Sequence, residues 1–316
     1  MAKQAVLLLA HGTPQTLEEI PAYLRNVTSG RPLPPQVVEE IQHRYSLIGR
    51  SPLTELTMEQ ARLAEAELVS AGLPVPVYVG MRNWRPYIPD VVRQMRADGI
   101  EEAAVICLAP QNSRTSVGLY RRSAEAEAGS IRIDFTAGWA RHPQLIAAFA
   151  ERLLPAWQKL SAEAGAPVPV LFTAHSVPAR TVEPTPDGQP ADPYAEEARA
   201  TAALVAASLP PGAEWRFAFQ SQGQSGGPWL GPTVEETLDA LAAAGAKALL
   251  LHPIGFLCDH VEILYDVDIA FRDAAAQRGL CLERPASLNA SLPLARALAD
   301  LARLGLQRLA ASSSKA

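Results

Sequence analysis

Two apolar runs, far apart in the chain, each end in a histidine and a turn closed by proline: Val6-Leu7-Leu8-Leu9-Ala10-His11-Gly12-Thr13-Pro14 and Pro169-Val170-Leu171-Phe172-Thr173-Ala174-His175-Ser176-Val177-Pro178. Continuous apolar runs of this length suit strands covered on both faces rather than half-wet ones. Each delivers its histidine to the carboxyl end of a strand, where ligands of open α/β sheets bind. The rest of the chain can be arranged around these two. Strand patterns fall at about 5–10, 77–81, 103–109 and 131–137, and again at about 168–174, 215–220, 247–253 and 280–286, with helical patterns between them. Such alternation predicts an α/β protein with parallel sheets and helices on both faces. The second set repeats the first in kind. Helices ending Ala97-Asp98-Gly99 and Ala243-Ala244-Gly245 each feed an apolar strand closed by proline, Leu108-Ala109-Pro110 or Leu251-His252-Pro253. The gaps do not match residue for residue, so any duplication is old.

Two domains are therefore expected, 1–165 and 166–316, parted at Ala164-Gly165-Ala166-Pro167 after a long helix at about 143–162. A cleft between two such domains is a usual place for a ligand. The last helix, about 290–310, could cross back onto the first domain. Thr185–Pro193 is polar and turn-rich and reads as a surface loop, and Ser312–Ala316 as a frayed end. At 316 residues the chain can bury two cores. A net charge of −5 argues against nucleic acid as a partner. No apolar run approaches the roughly 18 residues of a membrane span, and the start does not resemble a signal peptide. These features predict a cytoplasmic protein without membrane insertion. Cys107, Cys258 and Cys281 cannot all pair, and they lack the spacing of a structural zinc site.

His175 and His11 are the first candidates for chemistry, since a neutral imidazole is both a base and a metal ligand. Each could equally be a hydrogen-bonded turn residue. Asp259, Glu262 and Asp266 recur at intervals of three and four and would share one helix face. Their apolar neighbours Ile254, Phe256, Leu257, Ile263 and Leu264 argue against a plain solvated surface and suggest a path for a cation. The stretch Gln220–Pro232 is glycine-rich, lacks a phosphate-loop lysine and could present Trp229 to a flat apolar ligand. Met81–Pro86 and Pro110–Thr115 place Asn83, Arg85 and Arg114 just after strand ends, where they could meet carboxylates or merely cap helices.

Taken together, these pieces resemble a ferrochelatase over nearly the whole chain. The carriers are Leu9-Ala10-His11-Gly12-Thr13-Pro14, Arg44-Tyr45 with Ile48-Gly49-Arg50-Ser51-Pro52-Leu53, Thr173–Pro178, Gln220-Ser221-Gln222-Gly223 with Pro228-Trp229-Leu230-Gly231-Pro232, and Gly255–Glu262. The resemblance implies two Rossmann-like, chelatase-type domains with four-stranded parallel sheets, and insertion of ferrous iron into a porphyrin in the cleft between them. It makes His175 the motif histidine and Glu262 the glutamate across that cleft, with Asp266 a further metal-side carboxylate. Ala270 departs from the acidic pattern, so a metal relay would be shortened or rerouted through Asp273. His11 stands where the soluble Gram-positive type often has an iron-ligating tyrosine, and Asn83 where some relatives place a histidine. Too few cysteines are present for the iron–sulfur cluster of some relatives, so no prosthetic group is expected and iron is a substrate. The resemblance is nearest to the soluble coproporphyrin-using type, whose tetracarboxylate substrate would want Arg31, Ser51, Arg85 and Arg114. It also allows contacts with neighbouring haem-pathway enzymes. Rival expectations are a protoporphyrin ferrochelatase, a cobalt or nickel chelatase of the sirohydrochlorin type, and a porphyrin carrier without turnover.

Overall fold

The computed structural model describes residues 2–223 and 227–313. Its elements run β1 (Gln4–Ala10), α1 (Ile20–Val27), α2 (Pro35–Ile48), α3 (Leu53–Ser70), β2 (Val77–Met81), α4 (Ile88–Ala97), β3 (Glu102–Cys107), α5 (Val117–Glu127) and β4 (Arg132–Thr136). They continue with α6 (Pro143–Ala164), β5 (Val170–His175), α7 (Tyr194–Ala206), β6 (Trp215–Gln220), α8 (Val234–Ala243), β7 (Ala248–Pro253), α9 (Val261–Leu264), a π turn (Asp266–Phe271), α10 (Arg272–Gln277), β8 (Cys281–Glu283) and α11 (Leu292–Ser313). All eight expected strands form. β3 stops at Cys107 and β8 at Glu283, short of the sequence expectation. Beyond Glu283 the chain turns its polar groups to side-chain partners, with Arg284 reaching Asp268.

Each group of four strands forms its own parallel sheet, in the order β2-β1-β3-β4 and β6-β5-β7-β8. The inner strands explain their composition. β3 is buried along its whole length, and β1 and β5 over all but one end residue, so their buried side chains are apolar save Glu102, paired with Arg132, and Thr173, bonded to Gln220. In the second sheet Val170 pairs with Trp215 on one side and Leu250 on the other, and the register carries His175 alongside Gln220. The chain leaves β5 outward to β6 and then crosses back to β7. That reversal opens a crevice at the carboxyl ends of β5 and β7, the switch point at which open α/β sheets bind ligands.

Two compact units contain these sheets. Within the described residues the first comprises 2–110, 115–139 and 289–313, and the second Gln111–Arg114 with Ala140–Leu288. The division falls after Trp139 rather than near Gly165, because α6 belongs to the second sheet's packing. Its Trp157 Nε1 donates to the Val168 carbonyl at 2.8 Å, and Phe149 meets His252 of β7 edge to face. Helix α11 returns to the first unit, lying so close to β3 that a Cβ on Gly305 would come within 2.9 Å of the Ala104 Cβ. Arg308 of the same helix grips Asp134 of β4 with two hydrogen bonds, 2.8 and 2.6 Å. Within the second unit, Leu171, Ala218, Leu249 and Leu251 join Leu238, Ile263, Val267 and Phe271 in one apolar core. That core seats the inner side of α9 and the π turn beneath the crevice.

Candidate active site

The crevice of the second unit is built from the turn after β5 and the segment after β7. His175 ends β5, where the Ser176 amide donates to the Gln220 carbonyl at 2.7 Å and continues the ladder for one residue. The Tyr194 hydroxyl donates to the His175 carbonyl at 2.7 Å. Burial lifts that phenol well above its usual range, with the charges of Glu262 and Asp192 adding to the effect, so it stays a donor. On the other side Gly255 sits directly against β5. A Cβ there would lie 2.8 Å from both Cα and Cβ of Ala174, so only glycine lets the post-β7 chain pass this close.

The ring of His175 donates from Nδ1 to the Ser176 carbonyl and turns Nε2 to Glu262 Oε1, 3.3 Å away. His260 repeats the arrangement. Its Nδ1 donates to the Cys258 carbonyl at 3.1 Å, and its Nε2 lies 3.4 Å from Glu262 Oε2. Glu262 is thus bracketed by two imidazoles whose Nδ1 atoms are committed to backbone. Phe256 packs beside both rings, with centroids 6.4 Å from His175 and 4.7 Å from His260. The His175 and Glu262 side chains stay 35% and 32% exposed, open enough to meet a ligand. Burial disfavours an imidazolium at His175, but the charge and hydrogen bond of Glu262, with help from Ser176 and Asp266, more than offset it and push its pKa up to about 9. Burial likewise works against the Glu262 carboxylate, and the two histidines overcome it, holding that carboxyl well below the usual range. At neutral pH the pair is an imidazolium facing a carboxylate.

Behind Glu262 runs a buried polar chain. Thr173 Oγ1 donates to Gln220 Oε1 at 2.6 Å, and Gln220 Nε2 donates to the Glu262 carbonyl at 3.1 Å. The Ser221 hydroxyl donates to Asp266 Oδ2. Asp266 is buried here, whereas Asp273 is exposed. Asp259 does not stand in file with Glu262 and Asp266 as its spacing suggests. It is held by Arg284 at 3.1 Å and by the Ser287 hydroxyl at 2.7 Å, because it precedes the helix and the π turn changes the winding after it. Among the described residues no group of three or more His, Cys, Asp or Glu side chains is placed to hold a metal ion. His260 and Gln220 fall inside motifs noted in the sequence without a role of their own, and Tyr194 and Arg284 carry no sequence signal. The spacing of His260 to Glu262 looks wrong for one helix face, yet His260 has extended backbone, φ −162°, and in extended chain alternate residues share a side.

Trp229 is half-buried and joined to the His175 turn by a bridge to Pro178, while Leu230 N donates to the Val177 carbonyl at 3.0 Å. Its indole also lies over Gly223, where a Cβ would meet the ring at 2.9 Å. Gln224, Ser225 and Gly226 of that glycine-rich stretch, and Ser314–Ala316 of the expected frayed end, lie outside the described residues. Arg114 acts as a clasp in the second unit: its guanidinium donates to the Thr181 and Glu183 carbonyls at 3.0 and 2.7 Å and faces Asp192 at 3.5 Å.

In the first unit, the His11 ring shares a hydrogen bond of 2.8 Å with the Tyr23 hydroxyl, and the Asn83 amide nitrogen lies 3.2 Å from the same Nε2. Asn83 is buried, and its backbone amide donates to the His11 carbonyl at 2.9 Å. Gly12 makes this approach possible, with φ +77° and no room for a Cβ beside Met81 and Trp84. Ser51 is fully buried just before α3, Arg31 is exposed and donates to the Thr28 carbonyl at 3.1 Å, and exposed Arg85 lies over the Trp84 ring.

Two four-stranded parallel sheets flanked by helices are the architecture of chelatase-type folds. The sirohydrochlorin chelatase of Bacillus subtilis subspecies spizizenii, solved with cobalt, has this fold at 14% identity and TM-score 0.56, with 95% of this chain and 94% of that one covered. A multi-domain Deinococcus radiodurans protein described as structurally similar to chelatases also has it, at 13% identity and TM-score 0.60, with 96% of this chain and 56% of that one covered. Within the class the sequence is decisive: residues 3–306 match the ferrochelatase family, and the chain belongs to it. The ferrochelatase of Acidobacterium capsulatum is 60% identical, with 99% of this chain and 97% of that protein covered. The coproporphyrin III ferrochelatase of Bacillus subtilis is 31% identical, with 95% and 96% covered.

Proposed function

We propose that this ferrochelatase metalates coproporphyrin III, with His175 and Glu262 performing the insertion. The observation that carries the site assignment is their pairing at 3.3 Å, held from behind by Tyr194 and Gln220. Metalation takes Fe²⁺ and a porphyrin with two pyrrole N–H groups to a metalloporphyrin and two protons. The resting proton lies on His175. Ferrous iron arriving at Glu262 would compete with the imidazolium for the carboxylate, exchange bound water for its oxygens, and remove what keeps His175 charged. His175 would then release its proton to solvent, its free Nε2 would take one pyrrole proton with Nδ1 still tied to Ser176, and passing that proton to solvent would free Nε2 for the second. Asp266, held by Ser221, adds negative charge on the metal side. Trp229 offers its ring to the macrocycle.

The substrate reading is supported by relatives bearing the name coproporphyrin III ferrochelatase, at 31% identity in Bacillus subtilis and 35% in Mycolicibacterium vanbaalenii. Among the described residues, moreover, no helix is long and apolar enough to cross a membrane. Anaerobic metalation assays with both porphyrins should give a higher kcat/KM for coproporphyrin III than for protoporphyrin IX, with and without detergent. Equal or reversed values reject the substrate assignment. His175→Ala should lower kcat by about 10² to 10⁴, the usual worth of a positioned acid–base group. A His175→Ala enzyme with near-normal turnover rejects the site.

A further inference from the structure

The segment carrying Glu262 departs from regular α-helical winding. Helix α9 is a single turn that passes straight into the π turn, an uncommon winding that recurs at functional sites, so local periodicity does not fix where Glu262 points. Yet a working site needs its groups held to within about 0.5 Å. Arg284, just past β8, spans the segment. Its side chain is only 10% exposed. Nε and Nη2 donate to the two oxygens of Asp268 at 2.6 and 2.7 Å, a bidentate fork. Nη2 also lies 3.1 Å from Asp259 Oδ1, which accepts from the Ser287 hydroxyl at 2.7 Å, and Nη1 donates to the Pro285 carbonyl at 3.2 Å. Asp259 precedes Glu262 and Asp268 follows it, so one guanidinium joins both ends of the stretch that bears His260 and Glu262.

We infer that Arg284 is a positioning residue for metal insertion, tying Asp259 to Asp268 so that the segment between them presents the Glu262 carboxylate to His175 and His260. This rests on the reading that His175 and Glu262 carry the reaction. Without the guanidinium, two poorly solvated carboxylates would repel each other and the ends of the segment would part. Lysine cannot substitute, because an ammonium lacks the planar fork that meets both Asp268 oxygens while facing Asp259.

The test compares Arg284→Lys, Asp268→Asn and Glu262→Gln in steady-state metalation, with turnover expressed per folded molecule. Both tether variants should lose kcat roughly 10- to 100-fold, as loss of an outer-shell partner typically does, with KM for the porphyrin within about twofold of wild type. A role in stability alone would lower Tm and leave kcat per folded molecule unchanged, and that outcome in either variant overturns the inference. If Arg284→Lys does not accumulate folded, Asp268→Asn decides, since it keeps the guanidinium and its Asp259 contact. If neither accumulates, Ser287→Ala, which loosens the Asp259 end alone, is judged by the same split. Glu262→Gln separates the two readings: normal turnover there sinks the site itself, whereas an inactive Glu262→Gln beside a normal Arg284→Lys sinks only the tether.

Discussion

Glu262 is distinguished by having a ring nitrogen opposite each oxygen, and these overcome the upward push of burial on its pKa and keep it charged. Glycine makes that arrangement possible. Gly255→Ala puts a methyl 2.8 Å from backbone and side chain of Ala174, neither of which can swing aside. The expected outcome is a loss of about 1–3 kcal/mol, as for other overpacked sites, together with a several-fold fall in kcat as the post-β7 segment shifts from His175. Thermal melts and metalation assays would show it, and an alanine variant matching wild type in both would contradict the packing argument. His11 answers a different question. Its Nε2 is engaged by Tyr23 and approached by Asn83, side chains that the turn sequence gave no reason to expect there. Ligation of product iron by His11 requires that one ring nitrogen leave these partners. The expectation is that His11→Ala lowers stability by about 1 kcal/mol for each hydrogen bond lost and affects turnover far less than His175→Ala. Spectra of the haem-bound protein that are identical for wild type and His11→Ala would show that the imidazole does not reach iron.

Elements were more legible than their junctions. The apolar runs at Val6–Ala10 and Val170–Ala174 announce buried strands, and the histidines fall at their ends because a long apolar run closed by a turn and a proline marks that boundary locally. Asp259–Asp268 was less legible. Its three-and-four spacing implied a regular helix, but the chain is extended at His260, α-helical for one turn and then π-wound, with Ala270 N bonding back to the Tyr265 carbonyl at 2.9 Å. Tertiary contacts impose that path: Arg284 just past β8 and Gln220 from β6 hold it, and local periodicity contains neither. The Thr173–Gln220 bond should therefore matter beyond its own energy. Thr173→Val keeps the shape and removes the hydroxyl, leaving Gln220 Oε1 buried without that donor. The expected cost is about 1–3 kcal/mol, with a fall in kcat as Gln220 Nε2 loses its aim at the Glu262 carbonyl. Retention of full activity and wild-type Tm in Thr173→Val would mean that Glu262 is positioned without help from β6.

At the scale of the molecule, the family and both sheets could be read from motif order, whereas the division of the chain could not. Gly165 resembles a boundary because it ends a long helix, yet α6 packs on the second sheet, whereas the return of α11 to the first unit, over β3 and β4, agrees with the sequence expectation. The same distant packing creates a pH liability at His252. This histidine of β7 is 2% exposed, lies edge-on to Phe149 and Phe172, and has no hydrogen-bond partner for either ring nitrogen among the described residues. Burial, with a smaller contribution from Arg284, depresses its pKa to about 3. The folded protein therefore keeps a neutral imidazole while the unfolded chain takes up a proton below about 6.5. Between those values the unfolded state binds more protons, so stability rises with pH and is lost as pH falls, by up to about 1.4 kcal/mol for each unit. His252→Leu removes both the titration and two unsatisfied buried nitrogens. Chemical denaturation from pH 7.5 to 4.5 should show the leucine variant more stable by about 1–3 kcal/mol at the upper end, with the gap widening steadily below pH 6.5. Carboxylates elsewhere will steepen both curves alike, so the difference between them isolates His252. A gap that stays constant with pH would show that the imidazole protonates without leaving the fold.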